Sequence, residues 1–153
     1  MEREKSIDAL NSLITINNDR IEGYETASKE TDEQDLIALF DRFIANSQQC
    51  KQELAAEVTR LGGEPAEGTL ISGKFFRAWM DVKAALTGRD REAILNSCEY
   101  GEDEAQETYD EVIKDDLEHL NSEQQAMVYS QKALLKADHD HVKNLRDAFV
   151  DTE

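Results

Sequence analysis

The chain has 153 residues, of which 34 are Asp or Glu and 17 are Lys or Arg, so its formal net charge is −17 at pH 7. This length fits one domain with a substantial core, and we expect a single domain over residues 1–153. A surface this negative repels the phosphates of nucleic acids and anionic lipids, so we expect neither nucleic acid nor a membrane as a partner. The sequence shows no secretion signal and no stretch of ~20 apolar residues, which predicts a cytoplasmic protein.

Apolar residues recur at helical spacing along most of the chain, and no segment shows the alternation typical of a strand. Thr31 and Gln34 are spaced as in a capping box, which predicts a helix start there. Gly62 and Gly63 predict a helix end, because glycine tolerates a left-handed backbone. The sequence therefore predicts an all-α protein with four long helices, at about residues 6–30, 32–61, 90–115 and 122–149.

The lengths of the connections select a topology for these helices. Short connections join the first helix to the second and the third to the fourth, so each pair should be antiparallel. The long connection between the second and third helices includes a short amphipathic helix, predicted at about residues 74–86. It can reach about 60 Å, more than the length of one bundle helix, and so can place the third helix parallel to the second. Two antiparallel hairpins joined by one long crossover form a ferritin-like four-helix bundle.

Polar residues interrupt the apolar stripe of each long helix near its midpoint. Spacings of three and four residues keep these polar groups on the core-facing side of each helix. In helices of similar length packed side by side, the interruptions meet at one level. We therefore predict a polar layer at mid-height, formed by Asn17 on the first helix, Ser47 and Cys50 on the second, Glu102 on the third, and Asp138 and His141 on the fourth.

This layer contains half of the ligand set that ferritin-like di-iron proteins use. Those proteins place a Glu on two helices and a Glu-x-x-His motif on the other two. Glu102, with Asp138 and His141, supplies one half of the pattern. The other half is replaced by neutral residues, so two irons would lack both donors and charge compensation. We therefore do not expect di-iron oxidase chemistry, and the sequence nominates no catalytic residue; the replacements are Asn17 for the second Glu and Ser47-x-x-Cys50 for the second Glu-x-x-His.

Three interpretations of the layer remain open, the last of them an oxidase-like or small-ligand site. In the first, it is a hydrogen-bonded polar network that needs no cofactor, since buried carboxylates must be paired or protonated. In the second, a single divalent metal, iron or zinc, is bound by Glu102, Asp138 and His141, and Cys50 or water completes the shell. Cys50 and Cys98 both lie among apolar residues, which predicts buried, reduced thiols.

Five segments distributed along the chain carry a resemblance to a known family: Leu10–Ile14, Ile16–Glu25, Leu61–Pro65, Arg77–Gly88 and Cys98–Asp103. They resemble the PA2169-type family of four-helix proteins, a domain-of-unknown-function group (DUF2383) of the ferritin-like superfamily. The resemblance implies the fold and a bacterial source but no activity, because none is established for the family. It also implies that Asn17, where iron-binding relatives carry Glu, belongs to the family pattern. A link to stress responses is a further expectation from the resemblance and rests on no residue.

Phe75, Phe76 and Trp79 form the densest aromatic cluster in the chain, within the predicted crossover helix. The cluster either covers the side of the bundle or forms a surface for association, since Trp and Phe are strong interface anchors. We expect a non-enzymatic protein that acts by associating with itself, for example as a dimer, or with a protein partner. The alternative is a metal-binding protein or a vestigial di-iron protein that uses the Glu/Asp/His cluster.

Overall fold

The computed structural model of the chain describes residues 2–67 and 91–151. These residues form four long helices, and no strand occurs among them: α1 (Glu2–Glu30), α2 (Gln34–Arg60), α3 (Arg91–Asp116) and α4 (Ser122–Asp151). A single turn of 3₁₀-helix, Leu117–His119, lies between α3 and α4. The predicted all-α four-helix bundle is confirmed. The crossover helix predicted at about residues 74–86, with Phe75, Phe76 and Trp79, lies outside the described residues.

Side-chain contacts establish the directions of the four helices. The beginning of α1 meets the end of α2, where Gly63 lies against Ile7, so these helices are antiparallel. Later residues of α1 contact earlier residues of α3 and of the turn that follows it, so α1 and α3 are antiparallel. The pairs are Ser6 with His119, Asn17 with Tyr109, and Arg20 with Glu102. Because α2 and α3 are both antiparallel to α1, they run parallel to each other, as predicted. The pairs between α2 and α4 are likewise antiparallel: Glu57 with Gln124, Glu53 with Gln131, and Asn46 with Asp138.

The core is built from one face of each helix. The buried residues of α2 recur mainly at spacings of three and four, which brings them to one side of the helix: Leu36, Leu39, Phe40, Phe43, Ser47, Cys50, Leu54 and Val58. Fully burying a Leu, Val or Phe side chain contributes about 1.5–3 kcal/mol, so this stripe is a main source of bundle stability. Cys50 and Cys98 are both buried, and neither takes part in a disulfide. Within the described part of the chain, no helix is long and apolar enough to cross a membrane.

One helix end predicted from the sequence is confirmed, and one predicted helix cap is wrong. The helix α2 ends as predicted: Gly62 has φ 87°, and the N–H groups of Gly62 and Gly63 donate to the carbonyls of Thr59 and Val58. The predicted capping box at Thr31 is wrong, because the N-cap of α2 is Glu33 and makes no side-chain cap bond. Thr31 Oγ1 instead accepts a bond from the Glu33 N–H, which closes a tight turn before the helix.

A reciprocal cap occurs at the start of α4. Asn121 Oδ1 accepts from the Gln124 N–H at 2.8 Å, and Gln124 Oε1 accepts from the Asn121 N–H at 3.0 Å. Two backbone donors that the helix leaves without intrahelical partners are satisfied in this way. This cap fixes the start of α4 and hence the height at which its polar residues meet the other helices.

Candidate functional site

Five of the six polar-layer residues predicted from the sequence are buried: Asn17, Ser47, Cys50, Glu102 and Asp138. The sixth, His141, is exposed, and its Nδ1 lies 3.1 Å from Nη2 of Arg42. Its ring lies edge-on to Phe43, with 6.4 Å between the ring centroids. The structure therefore does not bring His141 together with the two carboxylates of the layer.

The centre of the layer is Arg20, a residue that the sequence analysis did not select. Its side chain is only 1% exposed. Its Nη2 donates to Glu102 Oε1 at 2.7 Å and to Asp138 Oδ2 at 3.1 Å, and its Nε donates to the same Glu102 oxygen at 3.0 Å. Its Nη1 donates to Ser47 Oγ. One guanidinium from α1 thus binds side chains from all three of the other helices.

Glu102 is held by Tyr24 as well as by Arg20. The Tyr24 hydroxyl donates to Glu102 Oε1 at 2.5 Å, so this oxygen accepts three hydrogen bonds. The Tyr24 ring is fixed by Phe40 and Phe43, at centroid distances of 5.3 and 5.1 Å, and the Arg20 guanidinium carbon lies 5.5 Å from its centroid. The other carboxylate oxygen, Glu102 Oε2, is buried and has no hydrogen-bond partner among the described residues.

Asp138 is the second carboxylate and is anchored from α2. Asn46 Nδ2 donates to Asp138 Oδ1 at 3.2 Å and to Oδ2 at 3.1 Å. The cluster so formed contains two carboxylates and one guanidinium, which leaves a net charge of −1 when both acids are ionised. We call this set the charged cluster; it consists of Arg20, Tyr24, Asn46, Ser47, Glu102 and Asp138.

The electrostatics of the charged cluster are governed by burial and by the Arg20 charge. Burial alone lowers the pKa of Arg20, but the attraction of the Glu102 and Asp138 carboxylates raises it above its ordinary value, so the side chain stays cationic. Burial raises the pKa of Glu102 above 4.5, and Arg20 and Tyr24 oppose this increase without reversing it. Burial, followed by the Glu102 charge, raises the pKa of Tyr24, so its hydroxyl remains a hydrogen-bond donor.

A second group of polar side chains lies beside the first and carries no formal charge. Asn17 Nδ2 donates to the Tyr109 hydroxyl at 3.0 Å, and that hydroxyl donates to Gln131 Oε1 at 2.8 Å. Gln131 Nε2 reaches the backbone carbonyl of Cys50 at 3.3 Å and Glu53 Oε1 at 3.0 Å. We call this set the neutral cluster; it consists of Asn17, Cys50, Tyr109 and Gln131.

The Cys50 thiol has little reactivity in this setting. Burial raises its pKa to about 12, while the Arg20 charge and, less strongly, the Tyr109 hydroxyl act in the opposite direction. A thiol with so high a pKa is almost entirely protonated at neutral pH, whereas nucleophilic attack and metal binding both need the thiolate. Cys50 is therefore suited to packing rather than to chemistry.

The charged cluster does not fit a metal ion as it stands. Glu102 Oε1 already accepts three hydrogen bonds, and the Arg20 guanidinium binds both carboxylates and repels a second cation. His141 is exposed beside Arg42, and the protonated Cys50 thiol is a poor ligand. Within residues 2–67 and 91–151, no group of three or more His, Cys, Asp or Glu side chains is arranged to hold a metal ion.

A sequence signal for Arg20 does exist. Arg20 belongs to a subset of the buried residues of α1 that follows the alternating three-and-four spacing of a helix packed in a bundle: Leu10, Leu13, Asn17, Arg20, Tyr24 and Ala27. On this helix only Asn17 was predicted from the sequence to face the core as a polar residue, and Arg20 was missed. The demand for charge balance is a second signal, since two carboxylates predicted in a core need a cation nearby.

The comparisons with known proteins give a family match that covers part of the charged cluster. A family model described as a domain of unknown function, DUF2383, matches residues 5–115. This range includes Arg20, Ser47 and Glu102 and ends before α4, which supplies Asp138. No curated protein matches the sequence. The family match covers well over half of the chain, and the protein therefore belongs to the DUF2383 family.

Proposed function

We propose that the protein is a non-enzymatic, ferritin-like bacterial protein of the cytoplasm that acts by associating with itself or with a protein partner. The observation that carries the proposal is the bonding of Arg20 to Glu102 and Asp138 in the bundle interior. General acid–base or metal chemistry needs carboxylates that can reach a substrate or a metal ion. Here both are buried and engaged with an internal cation. A role under stress, which the family resemblance implies, belongs to the same proposal.

The parallel course of α2 and α3 supports the ferritin-like part of the proposal. Together with the antiparallel pairs α1–α2 and α3–α4, it matches a bundle of two hairpins whose middle helices run in the same direction. Ferritin-like enzymes build their metal centre at mid-height of such a bundle. In this chain the same height is occupied by the charged cluster.

The net charge distinguishes the two forms of association. Two copies that each carry a charge of −17 repel each other, so self-association should strengthen as salt screens the repulsion. A partner with a basic surface should instead bind more weakly as salt increases. The salt dependence of complex formation thus separates a dimer from a complex with a basic protein.

Sedimentation velocity over protein concentration and salt tests the proposal. We expect a concentration-dependent complex that is lost in Trp79→Ala, because Trp is a frequent interface anchor. Tyr129→Ala is the matched control, since Tyr129 is an aromatic residue on α4 that is 48% exposed. Both variants should retain the wild-type circular dichroism spectrum. A protein that remains monomeric at all concentrations and copurifies with no partner would contradict the proposal.

The same preparation tests the competing function, a single iron or zinc ion bound by Glu102, Asp138 and His141. Elemental analysis of protein purified without an affinity tag measures the metal content directly. Stoichiometric metal that disappears in His141→Ala would favour metal binding over the proposed role. We expect a metal content far below one ion per chain, and equal stability of the wild type before and after treatment with a chelator.

A further inference from the structure

The charged cluster has the composition of a cation site. The groups that bind the Arg20 guanidinium are oxygen atoms from the three other helices: the carboxylates of Glu102 and Asp138 and the hydroxyl of Ser47. The Tyr24 hydroxyl completes the cluster by donating to the Glu102 carboxylate. Oxygen-only shells of this kind select hard divalent cations such as Mg²⁺ and Mn²⁺. In this protein the cation among these oxygen atoms is the guanidinium of Arg20.

The net charge of the cluster and an unpaired carboxylate oxygen both support its comparison with a cation site. With one guanidinium and two ionised carboxylates, the cluster carries −1, whereas a divalent ion in place of the guanidinium would bring the sum to zero. Glu102 Oε2 is buried and lacks a hydrogen-bond partner among the described residues. A carboxylate oxygen in this state is an available ligand, and the Glu102 side chain is only 1% exposed.

We propose that the charged cluster is a divalent-cation site whose cation is supplied by the chain itself, so that removing the Arg20 side chain opens it to a hard ion such as Mn²⁺. Arg20 gives the bundle a counter-charge that no chelator can remove. Because Arg20 already binds both carboxylates, the cluster needs no further ligand from His141. This inference concerns the interior of the bundle and does not depend on the proposed association.

The test compares the wild type with Arg20→Ala, which removes the guanidinium and leaves space for an ion. Arg20→Ser is measured in parallel and adds an oxygen donor at the same position. Mn²⁺ is the probe, and the readouts are the melting temperature and the binding stoichiometry from calorimetry. We expect one Mn²⁺ per chain in the variants, with a rise of about 5–10 °C in melting temperature at a free concentration near 100 times the dissociation constant. The wild-type melting temperature should shift by less than about 1 °C under the same conditions.

The carboxylate control separates this site from weak binding on the acidic surface. Arg20→Ala combined with Glu102→Gln and Asp138→Asn removes the ligands while leaving the surface unchanged, and it should lose the Mn²⁺ response. If Arg20→Ala is unfolded without metal, recovery of its helical circular dichroism on addition of Mn²⁺ counts as the same response. The proposal is overturned if neither Arg20 variant responds to Mn²⁺, if the triple variant responds equally, or if the wild type binds Mn²⁺ through Glu102.

Discussion

The charged cluster and the neutral cluster are built from the same helices and by a similar pattern, but they differ in electrostatic content. On α1, Asn17 precedes Tyr24 by seven residues, and on α3, Glu102 precedes Tyr109 by the same interval. The partners cross over, because Tyr109 binds Asn17 whereas Tyr24 binds Glu102. One arrangement thus joins a neutral amide to a tyrosine, and the other joins a carboxylate to a tyrosine and an arginine.

This difference determines what each cluster does for the bundle. A buried neutral hydrogen bond contributes about 1 kcal/mol, and its loss is moderated when a donor has a second acceptor. Asn17 Nδ2 has one, since it also donates to the Leu13 carbonyl at 2.9 Å. A buried charge with a lost partner has no such alternative and destabilises strongly. A shift of one helix relative to the others should therefore lower the stability of the bundle mainly through the charged cluster.

The largest expected effect comes from removing the central charge without creating a cavity. Arg20→Met leaves Glu102 and Asp138 buried without a counter-ion and should lower the free energy of unfolding by about 3–5 kcal/mol. Urea denaturation followed by circular dichroism measures the change. Arg60→Met is the matched control, because Arg60 also pairs with a carboxylate, that of Glu57, but its side chain is 57% exposed. Surface ion pairs contribute little, so this variant should be nearly as stable as the wild type.

Equal losses of stability in the two arginine variants would contradict the role of the charged cluster. So would an Arg20→Met variant as stable as the wild type, since the buried carboxylates would then need no counter-charge from α1. A change in the denaturant slope would indicate that the substitution alters the compactness of the folded or unfolded state, so the slopes are compared first.

Replacing one tyrosine in each cluster by phenylalanine should give the next smaller effect, and it compares the two clusters directly. Tyr24→Phe removes a hydrogen bond to a charged carboxylate and should cost about 2 kcal/mol. Tyr109→Phe removes bonds to neutral amides and should cost about 1 kcal/mol, because Asn17 keeps its bond to the Leu13 carbonyl. Both substitutions keep the ring and its packing, and thermal denaturation of the two variants measures the difference. A larger loss for Tyr109→Phe would reverse the assigned ranking of the clusters.

The fold could be predicted from the sequence because its signals are repeated over long segments. Helical periodicity extends over the long helices, and the long connection after α2 allows α2 and α3 to run in parallel. The helix ends depend on single side chains and were harder to predict. Gly62 marked the end of α2 correctly, since its positive φ is a property of glycine. The capping-box spacing occurs at Thr31 and again at Asn121, and only the second forms the reciprocal cap.

The site was predicted only in part, because the register of the buried stripe decides which residues meet. In α4 the three-and-four spacing runs through Leu135, Asp138 and Val142, all of them buried, and leaves His141 one position outside it. In α1 the same spacing includes Arg20 and leaves Ile21 only partly buried. The apolar Ile21 follows the buried Arg20, and the polar His141 precedes the buried Val142, so residue type alone does not identify the buried position. Only the packing of all four helices selects between two stripes that differ by one residue.

The smallest expected effect is a dependence on pH that follows from the raised pKa of Glu102. Burial raises this pKa above 4.5, so the folded protein binds the proton more tightly than the unfolded chain does. The associated stability is full below the ordinary pKa and is lost as pH rises through the higher folded value. Glu102→Gln removes the titrating group, so the free energy of unfolding of the wild type minus that of the variant should fall as pH rises above about 4.5. Tyr109→Phe, which alters only the neutral cluster, should keep the wild-type pH dependence; a difference that grows with pH would mean that the attraction of Arg20 outweighs burial at Glu102.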